Sequence, residues 1–244
     1  MDWSPTSATN AYLDALKLCR ESKKECNSCE EMRKLESNEF ISALAAGLNS
    51  KLIVEVTSEA SSSTVALAAA ARQTGGKLLC ILPDPRTLDK SLKVIQELGL
   101  NEMVKFRTGD PIEVLPNYEN IDFSLVDCNT DKYGRLFEKL DVNRKRSIVV
   151  ANNLVEGRKG AEGLLKGVET MFKVQSTKRP IGKGMEVTMI GKSNEFGKRE
   201  RSRGSHSRAE GKGQFVKKTN KSKWVFAVDE KNGEEHIYRM PKSL

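Results

Sequence analysis

The residues best placed to do chemistry form one run, in which the apolar stretch Leu52-Ile53-Val54-Glu55-Val56 passes into Thr57-Ser58-Glu59-Ala60-Ser61-Ser62-Ser63-Thr64. A buried strand feeding a helix start is where an open α/β sheet receives a ligand, and glycines there normally let the backbone approach it closely. This run has no glycine, so any ligand would meet side-chain hydroxyls instead. Other reactive residue types offer less. Cys26-Asn27-Ser28-Cys29 is a CxxC, but a zinc site needs two more ligands and the histidines, His206 and His236, both lie far downstream. No strand directly precedes the CxxC, which argues against a redox motif, and it reads as ordinary helix or loop thiols. The same two histidines leave no Ser-His-Asp or Cys-His arrangement. Gly182-Lys183-Gly184 is a turn with no helix after it, hence no phosphate-binding loop.

The elements that must position the 52–64 run follow from hydrophobic patterning. Between residues 37 and 191, short apolar runs alternate with amphipathic segments, the pattern of βαβ units and a parallel sheet. Strands are expected over Lys51–Val56, Lys77–Leu82, Val104–Thr108, Phe123–Cys128 and Ser147–Ala151, their continuous Leu, Ile and Val content suiting burial on both faces. Helices are expected over Ser62–Gln73, closed by Gly75-Gly76, and over Leu88–Leu98, closed by Gly99. Two more are expected over Asp131–Leu140 and Lys159–Met171. Phe172–Lys178 and Met185–Gly191 read as an antiparallel pair at the sheet edge, joined by the turn Arg179–Gly184. Helical spacing also covers Thr9–Leu18 and Asn38–Leu48, outside the sheet. Near the end, Lys223–Val228 and His236–Met240 flank Asn232-Gly233, a strong hairpin signal.

The chain carries 41 Lys or Arg against 33 Asp or Glu, and the excess is local. Residues 192–223 hold 11 of the basic residues against three Glu, and the remainder balances at 30 of each sign. That segment is rich in Gly and Ser and poor in apolar residues, so it reads as a disordered basic linker. The expected organisation is an N-terminal helical segment (1–36), an α/β domain (37–191), the linker (192–223) and a terminal hairpin (224–244). Five cysteines without a secretory signal read as reduced thiols. With no apolar run long enough for a bilayer, the expected setting is intracellular, cytoplasmic or nuclear, without membrane contact.

The run Glu55–Thr64 resembles the first motif of S-adenosylmethionine-dependent O-methyltransferases of the catechol and caffeoyl-CoA type, whose glycines fall where Thr57 and Ser61 stand. Further matches are Val126-Asp127 with Asp131-Lys132-Tyr133 after it, Val149-Val150-Ala151-Asn152-Asn153, and Pro180-Ile181-Gly182-Lys183-Gly184. The whole chain, from Met1-Asp2-Trp3-Ser4-Pro5 to its terminal hairpin, also resembles an uncharacterised plant family of methyltransferase-like proteins. The resemblance implies a Rossmann-like class I methyltransferase sheet of order 3-2-1-4-5-7-6 with the last strand antiparallel. It implies cofactor contacts from Glu55, from the loop with Thr57, Ser61 and Ser63, and from Asp127. An acid ending the second strand should hold the ribose, but Leu82 stands there and Asp84 lies two residues further on. Asp110 would lie near the adenine.

For the reaction centre the resemblance implies a divalent cation on two Asp and one Asn, with a lysine base. Asp127 matches the first ligand, whereas Asn152-Asn153 stands where Asp-Asn is expected, leaving one negative charge where the family has two. Magnesium prefers charged hard oxygens, so a divalent metal is not expected. The base position falls on Thr130, which cannot act as a base at neutral pH; Lys132 is the nearby substitute. The expected protein is therefore methyltransferase-like with altered cofactor and metal motifs, binding S-adenosylmethionine weakly and acting as a binding protein or a feeble enzyme. An active methyltransferase with a rebuilt site is the alternative. A second alternative is RNA or another polyanion bound through residues 192–223 by phosphate contacts; an unidentified protein partner is also compatible.

Overall fold

A computed structural model describes residues 3–21, 29–128, 133–154, 173–181, 184–191, 224–228 and 235–239. The five expected parallel strands form within one residue of the expected bounds: β1 (Leu52–Val56), β2 (Lys77–Leu82), β3 (Val104–Thr108), β4 (Phe123–Asp127) and β5 (Arg146–Asn152). The edge pair follows as β6 (Lys173–Arg179) and β7 (Met185–Gly191). They make one seven-stranded sheet of order β3-β2-β1-β4-β5-β7-β6, parallel from β3 to β5, with β7 antiparallel to both its neighbours. This is the Rossmann-like class I methyltransferase order.

Alternation along the strands sends side chains to two cores. On one face Ile53, Leu78, Phe123, Leu125, Ile148 and Val150 meet α1 (Pro5–Glu21), α2 (Cys29–Gly47) and α3 (Ser62–Thr74). On the other, Val54, Ile81, Val126 and Val149 pack with Tyr133 and Phe137 of α6 (Tyr133–Lys139). Helix α3 is the centre of the first core. Its Ala66, Ala68, Ala69, Ala70 and Ala71 are all fully buried, and their small side chains let the neighbouring layers close on it from several directions. Left-handed Gly75 ends α3, and its neighbour Gly76 passes so close to the start of β1 that a Cβ there would lie 2.6 Å from Ser50 O.

Helices α1 and α2 are longer than apolar spacing alone indicates. The stretch preceding Asn38 is charged, yet its Glu, Lys, Arg, Met and Leu are good helix formers, so α2 runs unbroken across residue 36. The two helices are fastened by Ser42 Oγ donating to Ala11 O (3.1 Å) and by the Trp3 ring lying on Gly47, where a Cβ would come within 2.2 Å of it. Helix α4 (Leu88–Glu97) forms as expected, preceded by a 3-10 turn, Pro85–Thr87. A single-turn helix, α5 (Pro111–Val114), was not legible because one turn leaves no period to read.

A buried carboxylate sets the start of the sheet. Asp122 Oδ2 accepts from the backbone N–H groups of Lys51 (2.7 Å) and Leu52 (3.1 Å), while Oδ1 accepts from Asn143 Nδ2 (2.9 Å). One side chain thereby locks the entries of β1, β4 and β5 in register. A separate compact unit, Arg203–Leu244, contains the antiparallel hairpin β8 (Trp224–Val228) and β9 (Glu235–Arg239), with Trp224 opposite Arg239. The expected helix over 159–171, residues 192–223 and most of the CxxC (26–28) lie outside the described residues.

Candidate functional site at the C-terminal ends of β1 and β4

Strand parity places Glu55, Cys80 and Asp127 on the α3 face at the C-terminal end of the sheet. Glu55 pairs in register with Cys80 on one side and with Leu125 on the other, two residues before Asp127. Glu55 is 1% exposed. Its Oε1 accepts a 2.5 Å hydrogen bond from Ser63 Oγ in the first turn of α3, and its Oε2 is buried without a full hydrogen bond. Burial is the main cause that raises its pKa to about 7; donors at Ser63, Thr64 and Cys80 oppose that rise, and the Asp127 charge adds to it. Burial, with the Glu55 carboxyl alongside, pushes the Cys80 thiol well up, so it stays a neutral thiol.

The helix start is set by Ser61, which caps α3. Its Oγ accepts from Ser63 N and its own N–H donates to Thr64 Oγ1, a reciprocal capping box. Ser61 Oγ also lies 3.0 Å from Ser63 Oγ, continuing the hydroxyl chain to Glu55. Thr57 Oγ1 donates to Glu59 O (3.1 Å). Each following loop residue is gripped from the α4 side: Ser58 O accepts from Thr87 Oγ1 (3.0 Å), Glu59 pairs with Lys90 (2.7 Å), and Ala60 N–H donates to buried Ser91 Oγ (3.0 Å). The loop thus keeps its shape through side chains where glycines would give it freedom. Thr87, Lys90 and Ser91 do not stand out in the sequence, because nothing in a helix's spacing marks which loop it will hold; Thr64, three residues after Ser61, was a legible capping signal.

The residues expected near a ribose and an adenine are differently furnished. Leu82, ending β2, is fully buried and apolar. Asp84 caps the 3-10 turn by accepting from Arg86 N and is held by the Arg86 guanidinium at 2.7 Å, which lowers its pKa; both side chains are solvent-accessible. Asp110 is exposed and caps α5, accepting from Ile112 N–H (2.9 Å). Both candidate acids on this side therefore serve local turns.

At the expected metal position, Asp127 stands opposite Asn152 in the β4–β5 register. Asn153, at left-handed φ of 56°, turns its Nδ2 to Asp127 Oδ1 at 3.0 Å. It offers that carboxylate an N–H, not an oxygen facing a shared cation. One carboxylate with two amides, one of them so engaged, does not fit a magnesium ion, which needs several hard oxygens in octahedral array. Among the described residues no group of three His, Cys, Asp or Glu gathers as a metal site. The strand-end segment is pinned by Leu154 N–H donating to Gly184 O (2.9 Å). Thr130 and Lys132 lie outside the described residues.

The sheet order, with helices on both faces, gives the chain an S-adenosylmethionine-dependent O-methyltransferase-like fold. Among solved structures, the chain is similar to the S-adenosylhomocysteine-bound methyltransferase PaMTH1 of Podospora anserina, with a TM-score of 0.52 at 16% identity over 75% of this chain and 88% of that one. It is likewise similar to the O-methyltransferase TomG of Streptomyces achromogenes, involved in tomaymycin synthesis and solved with S-adenosylmethionine, with a TM-score of 0.52 at 16% identity over 78% and 97%. A catechol O-methyltransferase of Niastella koreensis is 29% identical over 126 residues, 49% of this chain, and the match spans 57% of that relative's length. Residues 1–240 match the family described as protein of unknown function DUF1442, and the chain belongs to that family.

Proposed function

We propose that the chain binds an S-adenosylmethionine-type ligand by its amino end, at the C-terminal ends of β1 and β4, as a binding protein or a feeble methyltransferase that works without magnesium. The observation that carries this reading is Glu55: a buried carboxyl with one oxygen tied by Ser63 and the other lacking a full partner. A carboxylate so placed is costly to charge unless a cation joins it. A ligand ammonium is such a cation, and Asp127 supplies a second negative group beside it. The bound cofactor would supply an electrophilic methyl. The chain's own residues orient the amino end through Glu55, fixed by Ser63, and keep the loop shape through Ser61 and Ser91. On the sugar side Leu82 offers no acceptor and Asp84 is engaged by Arg86, so the hold there is weak.

Calorimetric titration of S-adenosylmethionine and S-adenosylhomocysteine, with and without magnesium, tests the reading. One-to-one binding is expected, indifferent to magnesium and at least tenfold weaker in Glu55→Gln. An arriving ammonium should draw the Glu55 pKa down from about 7, so binding near neutral pH should release a fraction of a proton, visible as a heat that changes with buffer ionisation enthalpy. Absence of heat at millimolar ligand would overturn the reading, and magnesium-dependent binding would overturn its metal-free part.

A further inference from the structure

The far end of the sheet carries a second feature. Residues 143–146 form a tight turn in which Arg146 N–H donates to Asn143 O (3.1 Å) and Lys145 N–H to Asn143 Oδ1 (3.1 Å). The turn is fixed to the fold by Asn143 Nδ2 on the buried Asp122. It presents three consecutive cations, with Arg144 and Lys145 exposed and Arg146 half-buried, and among the described residues none of the three is ion-paired. Exposed Glu138 and Asp141 precede the turn and Lys139 lies between them, so the local balance stays positive.

Register ties this turn to the rest of the chain's charge. Arg146 is opposite Gly191, the last residue of β7, and Gly191 is opposite Lys173, the first residue of β6. The chain therefore leaves the sheet beside the turn, and the next 32 residues, 192–223, hold 11 Lys or Arg. In the sequence, the densest positive charge thus follows directly on the strand that ends opposite Arg146.

We infer that this turn, with its cations Arg144, Lys145 and Arg146, is a docking surface for the phosphate backbone of a nucleic acid. Fixed cations, followed in the chain by a segment dense in further ones, suit a polyphosphate, whose contacts are additive and sequence-independent. An acidic membrane fits less well, because membrane-surface binding adds an apolar face to the charge. The exposed large apolar side chains among the described residues are Trp3, Tyr12, Leu13 and Leu92, none of them at this corner. The corner also sits at the opposite end of β5 from Asn152, six residue steps and so about 20 Å from the candidate ligand site. It would hold a nucleic acid as a mooring and not present it for modification.

The test uses the full chain and fluorescence anisotropy with a labelled oligouridylate of about 16 nucleotides, near the upper site size of small single-strand binders. A duplex DNA of equal length and vesicles containing phosphatidylserine serve as parallel arms. Arg144→Glu with Lys145→Glu should lower nucleic-acid affinity about tenfold near 0.1 M salt. It should also flatten the salt slope on the single strand by about 1.4, the change expected when two phosphates are no longer neutralised. A control with the same charge change, Lys93→Glu with Lys105→Glu, should lower affinity much less. Both pairs are exposed, so folding is preserved. Equal losses in the two variants would reduce the effect to net charge and overturn the assignment, as would unchanged affinity in the corner variant. Binding to the vesicles without binding to either nucleic acid would overturn it too.

Discussion

Asn153 points its side-chain nitrogen at the Asp127 carboxylate, Nδ2 to Oδ1 3.0 Å, across the ends of β4 and β5. The neutral amide donates directly to the carboxylate.

This arrangement predicts what one added charge would do. Asn152→Asp would place a second carboxylate opposite Asp127, and magnesium affinity should rise at least tenfold, read by calorimetric titration of the metal salt. No gain would mean that the Asn153 contact, not the charge count, keeps the cation out.

Glu55 predicts an unusual pH dependence of stability. Its pKa stands at about 7 in the fold against an ordinary 4.5, so between those values the folded state binds more protons than the unfolded one. Stability from this group is full below about pH 4.5, falls as pH rises toward 7 and levels above it, a cost of order 3 kcal/mol. Glu55→Gln removes the charge and keeps an acceptor for Ser63. It should match the parent near pH 5 and exceed it near pH 8.5 in urea midpoints. Equal midpoints at both pH values would show that Glu55 is charged and paired throughout.

The loop predicts a separation of folding from binding. Ser61→Ala should cost about 1 kcal/mol through loss of the α3 cap, whereas Ser61→Gly should cost only a few tenths. Thr57→Gly with Ser61→Gly removes both side chains from the line of ligand approach while the grip of Thr87, Lys90 and Ser91 persists. S-adenosylmethionine affinity should improve several-fold in calorimetry. A loss would mean that those hydroxyls contact the ligand.

Gly184 predicts a local rupture. It has a φ of +109°, and a Cβ there would lie 2.4 Å from Leu154 O. Gly184→Ala should destabilise by about 2 kcal/mol or more in chemical unfolding, and weaken ligand binding by displacing the segment that carries Asn152 and Asn153. An unperturbed midpoint would refute the tight packing.

Four of the parallel strands were legible because their runs of Leu, Ile and Val suit a sheet covered on both faces, whereas β3, Val-Lys-Phe-Arg-Thr, is a partly exposed edge strand; the 62–74 helix was legible because serines open it and glycines close it. Glu55 stood out in the sequence as a strand-end candidate; its protonation balance was not legible, since that depends on Ser63, Thr64, Cys80 and Asp127 arriving from three other elements. Asp84 was open to a ligand role in the sequence, and only coordinates reveal its pairing with Arg86 two residues away. Asp122 escaped notice, although an acid directly before an apolar strand was a usable signal for a side chain that caps strand entries.

The alanine wall of α3 sets a minimum length for a folding chain. Because α1 and α2 cover that wall, a fragment beginning at β1 would meet water with a broad oily face and no side chain long enough to fold over it. Such fragments should be recovered as aggregates, because the cover that α1 and α2 give the wall would be missing.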